Sequence, residues 1–300
     1  MSELPTFKIY KDKGLHTSLF IYACRMAEDG VDPDLVEEHL KNSDLVHHNH
    51  RREIVPDREI EEAVEDAYNE VLKVYARKRI PPLSKYDKDK ARNIFDAYGC
   101  NVSDLQRISP QVPPTTVREV LQAIYRPDDY VCMARKLTSA STKLLSKWLQ
   151  LSDERLASYQ FIVPNPMSAE YGLKKNGTGL SPRTYNNTGP RKFVVCDFDL
   201  PGPEIQPSLI AYLAEYCEEA PVLVLSSGNK SLHAWWRCDG LDEDKMRLFE
   251  DEAASVGADP AILGDARRNQ LVRLPMGTRQ NNQKIQQIYF WDPNQINNHE

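Results

Sequence analysis

Residues 192–238 read KFVVCDFDLPGPEIQPSLIAYLAEYCEEAPVLVLSSGNKSLHAWWRC and alternate between apolar runs and polar turns. Three runs rich in β-branched and aromatic residues predict strands, at 192–199, 222–226 and 232–238. Between the first two, apolar residues recur at helical spacing and predict a helix over 208–217. One strand, one helix and two further strands indicate an α+β fold with helices on one face of the sheet.

The pattern extends in both directions from this segment. Further strands are predicted at 160–163, 271–274 and 287–291, and a helix at 242–256. Residues 86–155 are mixed and mostly helical in pattern. Residues 14–80 are helical, with helix starts at Asp32-Pro33 and Asp57. A polar linker near residue 85 therefore divides the chain into two predicted domains, 1–85 and 86–300.

Composition places the chain among ordinary proteins with a packed core. Hydrophobic residues make up 41 % and charged residues 27 %, which excludes long disorder and a coiled-coil rod. No apolar run approaches the roughly 20 residues of a membrane helix, and the N-terminus lacks a signal-peptide pattern, so we expect a cytoplasmic protein without membrane contact. The six cysteines are scattered, and we interpret them as reduced thiols rather than disulfides or a zinc site.

Charge is distributed unevenly along the chain. The net charge of −6 argues against a protein that coats duplex DNA without specificity. Three windows nevertheless contain basic residues and no acidic ones, between residues 130 and 153, 170 and 197, and 265 and 292. Ordinary solvated lysines are one interpretation of each window. Three windows in one half of the chain favour a partner that carries phosphates.

The predicted strand 192–199 ends in the motif Asp197-Phe198-Asp199. Side chains alternate between the two faces of a strand, so we expect Asp197 and Asp199 to point the same way. Two adjacent carboxylates repel each other and are costly to desolvate unless a cation lies between them. Mg²⁺ or Mn²⁺ is the natural partner because both favour oxygen ligands. Two solvated aspartates at a strand end are the alternative.

The segment between the second and third strands has the sequence SSGNKSLH. Gly228 permits a tight turn whose backbone N–H groups face an anion. Further donors come from the side chains of Ser227, Lys230 and Ser231. The turn is therefore a candidate triphosphate site, with Lys230 or His233 on phosphate oxygens. It is not a Walker loop, because its glycine spacing differs. A polar hairpin turn with a surface histidine is the alternative.

A third group of candidates follows the predicted helix 242–256. Asp259 could complete a carboxylate triad with Asp197 and Asp199, but Asp265 competes for that role and the sequence leaves both open. Guanidinium groups bind phosphates in a bidentate manner, and the candidates are Arg267, Arg268, Arg273 and Arg279. The alternative for these arginines is a salt-bridged surface that faces the acidic helix 241–252.

The order of these motifs resembles the archaeo-eukaryotic primase superfamily of primases and primase-polymerases. The DxD strand, the turn SGNKSLH and a carboxylate followed by VRLPMGTR carry the resemblance, which runs from near residue 159 to near residue 291. The turn is its most specific part. Upstream, LQAIYRPDDYV (121–131) and SPR (181–183) are similar to the entry segments of phage and plasmid members.

The resemblance implies a template-directed nucleotidyltransferase that copies single-stranded DNA on an RRM-like α+β core with an antiparallel or mixed sheet. It implies that Asp197, Asp199 and Asp259 bind two Mg²⁺ or Mn²⁺ ions. It implies that the incoming NTP or dNTP is held by residues in and near the turn, namely Ser227, Gly228, Lys230, Ser231, His233 and Arg273. We expect template DNA to contact the basic windows, at Lys174, Lys175, Arg183, Arg267, Arg268 and Arg279.

Residues 14–68 resemble, less specifically, the small helical domain that accompanies such cores, usually on their C-terminal side. We therefore expect an all-α helical bundle in residues 1–85, here on the N-terminal side. The sequence contains no Walker A motif, so we expect a separate helicase to unwind the template. Three histidines, at 47, 48 and 50, have no suitably spaced cysteine and are interpreted as part of a polar loop.

Two other functions compete with nucleotidyl transfer. One is a non-catalytic module that binds single-stranded DNA during replication initiation on a primase-like core. The intact carboxylates argue against it, because buried acids are costly to keep without a use. The other is a metal-dependent sugar transferase, since such enzymes also use a DxD motif. The turn SGNKSLH and the later Arg273-Leu274-Pro275 favour the nucleotidyltransferase.

Overall fold

The computed structural model of the chain describes residues 15–29, 31–43, 55–79, 82–174, 177 and 179–297, with backbone alone at residues 15, 16, 28, 71–79 and 297. The chain forms two compact units, Met1–Pro82 and Leu83–Glu300. Each unit has its own hydrophobic core.

The described part of the first unit consists of three helices, α1 (Leu15–Glu28), α2 (Pro33–Lys41) and α3 (Asp57–Arg79). The predicted start of α2 is confirmed, because the Asp32 side chain caps the helix by accepting a hydrogen bond from the Asp34 backbone N–H. Apolar residues of all three helices share one core, among them Leu19, Leu40 and Ile60. The three clustered histidines, His47, His48 and His50, lie outside the described residues.

The second unit contains eight described helices, and two of them correspond to the helices that the sequence predicts at 208–217 and 242–256. The eight helices are α4 (Lys88–Tyr98), α5 (Val102–Ile108), α6 (Val117–Ile124), α7 (Leu145–Trp148), α8 (Asp153–Ala157), α9 (Gln206–Tyr216), α10 (Glu243–Ser255) and α11 (Asn294–Asn297). Side-chain caps fix the starts of several of them, including capping boxes at Asn101 and Thr116. None of the described helices is long and apolar enough to cross a membrane.

In the part of the chain that the structure describes, ten strands form three sheets, and every neighbouring pair is antiparallel. The strands are β1 (Tyr130–Ala134), β2 (Ala140–Leu144), β3 (Phe161–Ile162), β4 (Gly172–Leu173), β5 (Leu180–Ser181), β6 (Phe193–Asp197), β7 (Leu223–Ser226), β8 (Leu232–Arg237), β9 (Val272–Arg273) and β10 (Ile288–Trp291). The sheet orders are β2-β1-β3-β9, β10-β7-β8-β6 and β4-β5. The fold is therefore a mixed α+β fold with antiparallel sheets.

The sheet β10-β7-β8-β6 lies between a helical layer and a second sheet. Alternate residues of β6 separate the two sides, because successive side chains of a strand point to opposite faces. Val194 and Cys196 join the core formed with α4, α9 and α10. Phe193 and Val195 join the core formed with β1, β3 and β9. Asp197 continues the second series, so its side chain belongs to the face between the two sheets.

Two features of the fold differ from the sequence prediction. Residues 86–155 contain β1 and β2 as well as helices, and a five-residue apolar run such as Tyr130–Ala134 does not distinguish strand from helix by its periodicity. The strand order also departs from the one expected for an RRM-like sheet. The strands β6 and β7, which α9 connects, lie on either side of β8 as in a split βαβ unit. β10 pairs with β7, and β6 is left at the edge of the sheet.

Candidate active site

Asp197 and His233 face each other where β6 ends and β8 begins. They are direct partners in the β6–β8 ladder, and His233 is also opposite Leu225 of β7. His233 Nε2 lies 3.2 Å from Oδ2 of Asp197, with the His233 side chain 3 % and the Asp197 side chain 21 % exposed. The sheet therefore holds a carboxylate and an imidazole together at the mouth of the space between the two sheets.

Several polar atoms of this pair are buried without a well-aligned hydrogen bond among the described residues. They are Oδ1 of Asp197 and both ring nitrogens of His233. Burial alone would raise the pKa of Asp197, but the imidazole of His233, together with Ser231 and Arg273, holds that pKa below its ordinary value. Asp197 is therefore an ionised, largely buried carboxylate whose Oδ1 lacks a well-aligned partner among the described residues, which is a frequent sign of a functional position.

Asp199 lies beyond the end of β6 and is not related to Asp197 by strand alternation. The strand stops at Asp197, and the Asp199 backbone N–H donates to the Asp197 carbonyl at 3.1 Å. The ammonium of Lys230 donates to the Asp199 carbonyl at 3.0 Å and lies 3.6 Å from Oδ1 of its carboxylate. Both side chains are more than half exposed. The sequence predicts both aspartates on one strand, whereas only Asp197 lies on β6 and Asp199 follows its end.

The turn between β7 and β8 closes on itself through its own hydrogen bonds. Ser227 N–H donates to the Ser231 carbonyl at 2.8 Å, Gly228 N–H donates to Ser226 Oγ at 3.1 Å, and the buried hydroxyls of Ser227 and Ser231 lie 3.0 Å apart. The predicted tight turn is present, with Gly228 at a φ of +75°. The N–H groups of Ser227 and Gly228 are already used inside the turn, which differs from the expectation that they face an anion.

Two arginines lie beside this turn and the Asp197–His233 pair. Arg279 donates from Nη1 to the Ser227 carbonyl at 3.3 Å. Arg273, on β9, stacks its guanidinium 4.7 Å from the ring centre of Phe161 and donates to Gln160 Oε1 at 3.4 Å. Burial and the charge of Arg279 lower the pKa of Arg273, while Asp197 and Asp199 act in the opposite direction. Arg273 on β9 therefore interacts electrostatically with Arg279 in the following loop and with both aspartates.

Asp259 is the aspartate that the backbone brings next to Asp197. Its N–H donates to the Asp197 carbonyl at 2.8 Å, and its carboxylate accepts from the Ala261 N–H at 2.9 Å. The competing Asp265 accepts a hydrogen bond from the Tyr185 hydroxyl at 2.7 Å and pairs with Arg268. In the described ranges, no three His, Cys, Asp or Glu side chains form a group that could hold a metal ion.

The donor set nevertheless fits a cation that arrives with a substrate. Mg²⁺ is commonly held by one or two carboxylates, and water and substrate phosphates complete its shell. The unpartnered Oδ1 of Asp197 is a buried anionic oxygen of the kind such an ion takes. Asp197 would hold the ion together with Asp199 and Asp259, whose backbone N–H groups both donate to the Asp197 carbonyl. Substrate would supply the remaining oxygens.

The predicted DNA contacts fall into two places. Arg183 and Arg268 lie on linked loops, because Arg183 Nη1 donates to the Asn269 carbonyl at 3.1 Å and the Arg268 guanidinium lies 3.9 Å from the ring centre of Tyr185. Arg267 is exposed beside Arg268, and Lys174 is exposed on the β4–β5 hairpin. Lys175 lies outside the described residues. Arg279 lies instead at the β7–β8 turn.

The acidic helix has other basic partners than the four candidate arginines. Glu250 of α10 pairs with Arg191 at 2.5 Å, and Glu252 pairs with Lys90 at 2.6 Å. Among the described residues, neither carboxylate forms an ion pair with the arginines that follow α10. The alternative of a salt-bridged surface on this helix is therefore not supported within the described residues.

Three buried amides support the site and are not signalled by any sequence motif. Gln160 accepts from Arg273 as described above. Asn165, 1 % exposed, accepts from the backbone N–H groups of Lys192 and Phe193 and donates to the Arg268 carbonyl at 2.9 Å. Gln206 is 0 % exposed and contacts both loops that flank the Asp197–His233 pair. A polar residue in an apolar stretch is the only signal that these positions give.

Comparisons with known proteins give one structural similarity. No protein-family model matches the chain, and no curated protein matches it in sequence. Among solved structures, the chain is similar to the AEP domain of the cyanophage S-2L primase-polymerase, with a TM-score of 0.37 and 16 % identity over 61 % of this chain and 97 % of that chain. A TM-score this low does not establish a shared fold, and the function therefore depends on the geometry of the site itself.

Proposed function

We propose that this chain is a primase or primase-polymerase, a nucleotidyltransferase that copies single-stranded DNA with Mg²⁺ or Mn²⁺. The observation that carries the proposal is the Asp197–His233 pair, whose carboxylate is ionised, largely buried and short of one hydrogen-bond partner. Its position between two sheets, beside a turn with an exposed lysine side chain and next to two arginines, suits a triphosphate accompanied by a cation.

The carboxylates would hold the cation. Asp197 would be the fixed ligand, because the β6–β8 ladder sets its position. Asp199 and Asp259 would contribute once the nucleotide is in place. Divalent ions bound here would neutralise phosphate charge and lower the pKa of an attacking hydroxyl. In the proposed two-metal mechanism, the three aspartates would hold both ions.

The cationic and polar side chains around Asp197 would bind the triphosphate. Lys230 is exposed and interacts with Asp199, so its ammonium is within reach of both the aspartate and solvent. Nε2 of His233 lies against Asp197, while its Nδ1 lacks an aligned partner among the described residues and would bind a phosphate oxygen. Arg273 and Arg279 add guanidinium groups suited to phosphate. The hydroxyls of Ser227 and Ser231, with Gly228, would keep the turn in shape.

Template DNA would follow the loops around Tyr185. Arg183, Arg267 and Arg268 supply positive charge there, and the exposed ring of Tyr185 supplies a stacking surface, the combination that binds single strands without sequence preference. Lys174 would extend the basic track along the β4–β5 hairpin, and Lys175, which follows it in sequence, stays among the proposed DNA contacts. A separate helicase stays part of the proposal as the source of unwound template.

A second candidate is the non-catalytic module that binds single-stranded DNA. The observation in its favour is the lack, among the described residues, of a preformed group of three metal-ligating side chains. In that case Lys230 would simply neutralise Asp199, and the basic loops would be the functional surface. The two candidates share DNA binding and differ in whether nucleotide is incorporated.

An incorporation assay separates these candidates. The purified protein is incubated with single-stranded DNA, labelled ATP or dATP, the other nucleotides, and Mg²⁺ or Mn²⁺, with and without an annealed primer. Template-dependent products on unprimed DNA support a primase, and products only on primed DNA support a polymerase that needs help to initiate. Tight DNA binding without any product would overturn the enzyme and support the binding module.

A further inference from the structure

Gln206 is the first residue of α9, and its side chain is fully buried. Its amide nitrogen donates to the carbonyls of Pro201 at 3.0 Å and Lys230 at 3.1 Å. Its amide oxygen accepts from the Leu232 backbone N–H at 2.7 Å. One side chain thus contacts the loop that follows Asp199 and the turn that precedes His233.

The three partners determine the orientation of this amide. Two carbonyl oxygens require donors and one N–H requires an acceptor, and a glutamine amide supplies two donors and an acceptor. Asparagine has the same donors and acceptor but a shorter reach, and glutamate lacks the donors. The contacts with Pro201 and Leu232 are buried, so those two backbone groups would otherwise lie in the interior without a partner.

The contact occurs where the β-ladder no longer holds the two segments together. The last pair of the β6–β8 ladder is Asp197 opposite His233. Beyond it, the Phe198 N–H still donates to the Leu232 carbonyl at 3.1 Å, and the chains then separate into residues 199–201 and 228–231. Gln206 lies between these two segments and links them through the interior.

The direct link between the same segments is on the surface. It is the contact of the Lys230 ammonium with Asp199, in which both side chains are more than half exposed. Exposed ion pairs are weak and exchange readily with water. The buried amide is therefore the better-fixed of the two connections, and it is independent of whether Lys230 turns to a ligand.

We propose that Gln206 is a positioning residue for the nucleotide site, one that sets the distance between the Asp199 loop and the Lys230 turn without touching substrate. This inference rests on the proposed function, since it assigns those two segments to the cation and the triphosphate. Small misplacements of such groups weaken binding and catalysis strongly. Gln206, which lies at the start of α9 and does not touch the reacting groups, would then control nucleotide affinity.

Ser208 provides a matched control on the same helix. It is also fully buried, and its hydroxyl accepts from the Cys100 N–H at 2.9 Å and donates to the Cys100 carbonyl at 3.3 Å. Ser208→Ala therefore removes buried hydrogen bonds of α9 that have no connection to Asp199 or Lys230. Gln206→Met removes all three contacts of Gln206 at similar side-chain length, and Gln206→Glu keeps an acceptor for Leu232 while losing donors.

The test measures nucleotide affinity and amide exchange for the wild type and these three variants. Gln206→Met is expected to raise the KM and Kd for nucleotide by about tenfold or more, with DNA affinity little changed. Ser208→Ala should leave both constants close to the wild type. Hydrogen exchange should accelerate at Leu232 in Gln206→Met and at Cys100 in Ser208→Ala. If Gln206→Met does not fold, Gln206→Glu is compared with Ser208→Ala instead. In Gln206→Glu, the Leu232 N–H should stay protected and nucleotide affinity should fall.

Equal nucleotide affinity in folded Gln206 and Ser208 variants would overturn the positioning role. So would unchanged exchange at Leu232 when Gln206 is replaced by Met. A wild type that binds no nucleotide would instead overturn the proposed function, and the nucleotide role of Gln206 with it. Hydrogen exchange is measured without nucleotide. It therefore tests the contacts of Gln206 even when the proposed function fails.

Discussion

His233 and Asp197 are paired across the β6–β8 ladder, with Nε2 of the imidazole 3.2 Å from Oδ2 of the carboxylate. This arrangement places a histidine that is 3 % exposed against an ionised aspartate, although neither ring nitrogen has an aligned hydrogen-bond partner among the described residues. A pair built only for stability would be expected to complete its hydrogen bonds. We infer that a ligand completes this pair.

Replacement of His233 by Gln should weaken nucleotide binding. The change removes the imidazole and with it the proposed contact with a phosphate oxygen, and a charge-assisted hydrogen bond of this kind contributes about 1.5–3 kcal/mol, which corresponds to roughly tenfold or more in Kd. Titration calorimetry with nucleotide and Mg²⁺ measures the effect. His39→Gln, a histidine of the first unit that stacks on Tyr22, is the control. Equal affinity in both variants would contradict the assignment of His233.

Replacement of Gly228 by Ala should disturb the turn in two ways. The backbone φ of +75° is strained for alanine, and an added Cβ would lie 2.9 Å from Cδ of Arg279. Gly240 has a φ of +82° and no atom within 4 Å of the added Cβ, so Gly240→Ala isolates the backbone strain, about 1–2 kcal/mol. Gly228→Ala should lose more stability in urea unfolding and should also weaken nucleotide binding. Similar losses in both variants, with nucleotide affinity intact, would show that Arg279 does not matter here.

Acid should remove part of the stability that Asp197 provides. Its pKa in the folded protein is depressed, so the ionised carboxylate stabilises the fold above the ordinary aspartate pKa of about 4, and the contribution is lost as pH falls through the folded pKa. The difference in unfolding free energy between wild type and Asp197→Asn should therefore change with pH, the wild type losing its relative advantage in acid. Asp239, whose pKa is lowered by Arg237 against the effect of burial, should behave in the same direction. Urea unfolding at neutral and acidic pH tests this, and a difference independent of pH would contradict it.

Single-stranded DNA binding should depend on the loops around Tyr185. Tyr185→Ala should reduce affinity by about tenfold, the usual contribution of one stacked base. Arg267→Gln should lower the slope of log K against log salt by about 0.7, as expected for one lost phosphate contact on a single strand. Tyr216→Ala, with a similarly exposed ring on α9, and Lys245→Gln on α10 are the controls. Fluorescence anisotropy over a range of salt concentrations measures both effects, and equal losses in the controls would place DNA binding elsewhere.

The elements around β6 could be predicted because their patterns are local. Alternating apolar residues identify β6, β7 and β8, and helical periodicity identifies α9 and α10. The end of β6 could not be predicted, because Phe198 continues the apolar pattern although the ladder stops at Asp197. β1 and β2 were missed because a short apolar run fits a buried strand and a helix equally well.

The candidate site shows a similar division between local and long-range information. Asp197, the turn at Gly228 and His233 are close in sequence to strand ends, and their types alone suggest cation and phosphate chemistry. The proximity of Asp259 to Asp197 depends on a backbone hydrogen bond across 62 positions, and Gln206 acts through contacts with Pro201, Lys230 and Leu232. Such contacts are set by packing of the whole unit, which no local pattern encodes.

The most direct test of the account is template-dependent nucleotide incorporation on primed single-stranded DNA by wild type, Asp197→Asn and Asp239→Asn. Asp239 is a matched control, since it is also an aspartate with a lowered pKa beside a basic partner, but at the far end of β8. We predict incorporation by the wild type and Asp239→Asn and none by folded Asp197→Asn. Incorporation by Asp197→Asn at the wild-type rate would contradict the assignment of Asp197, and no incorporation by any of the three would contradict the enzyme.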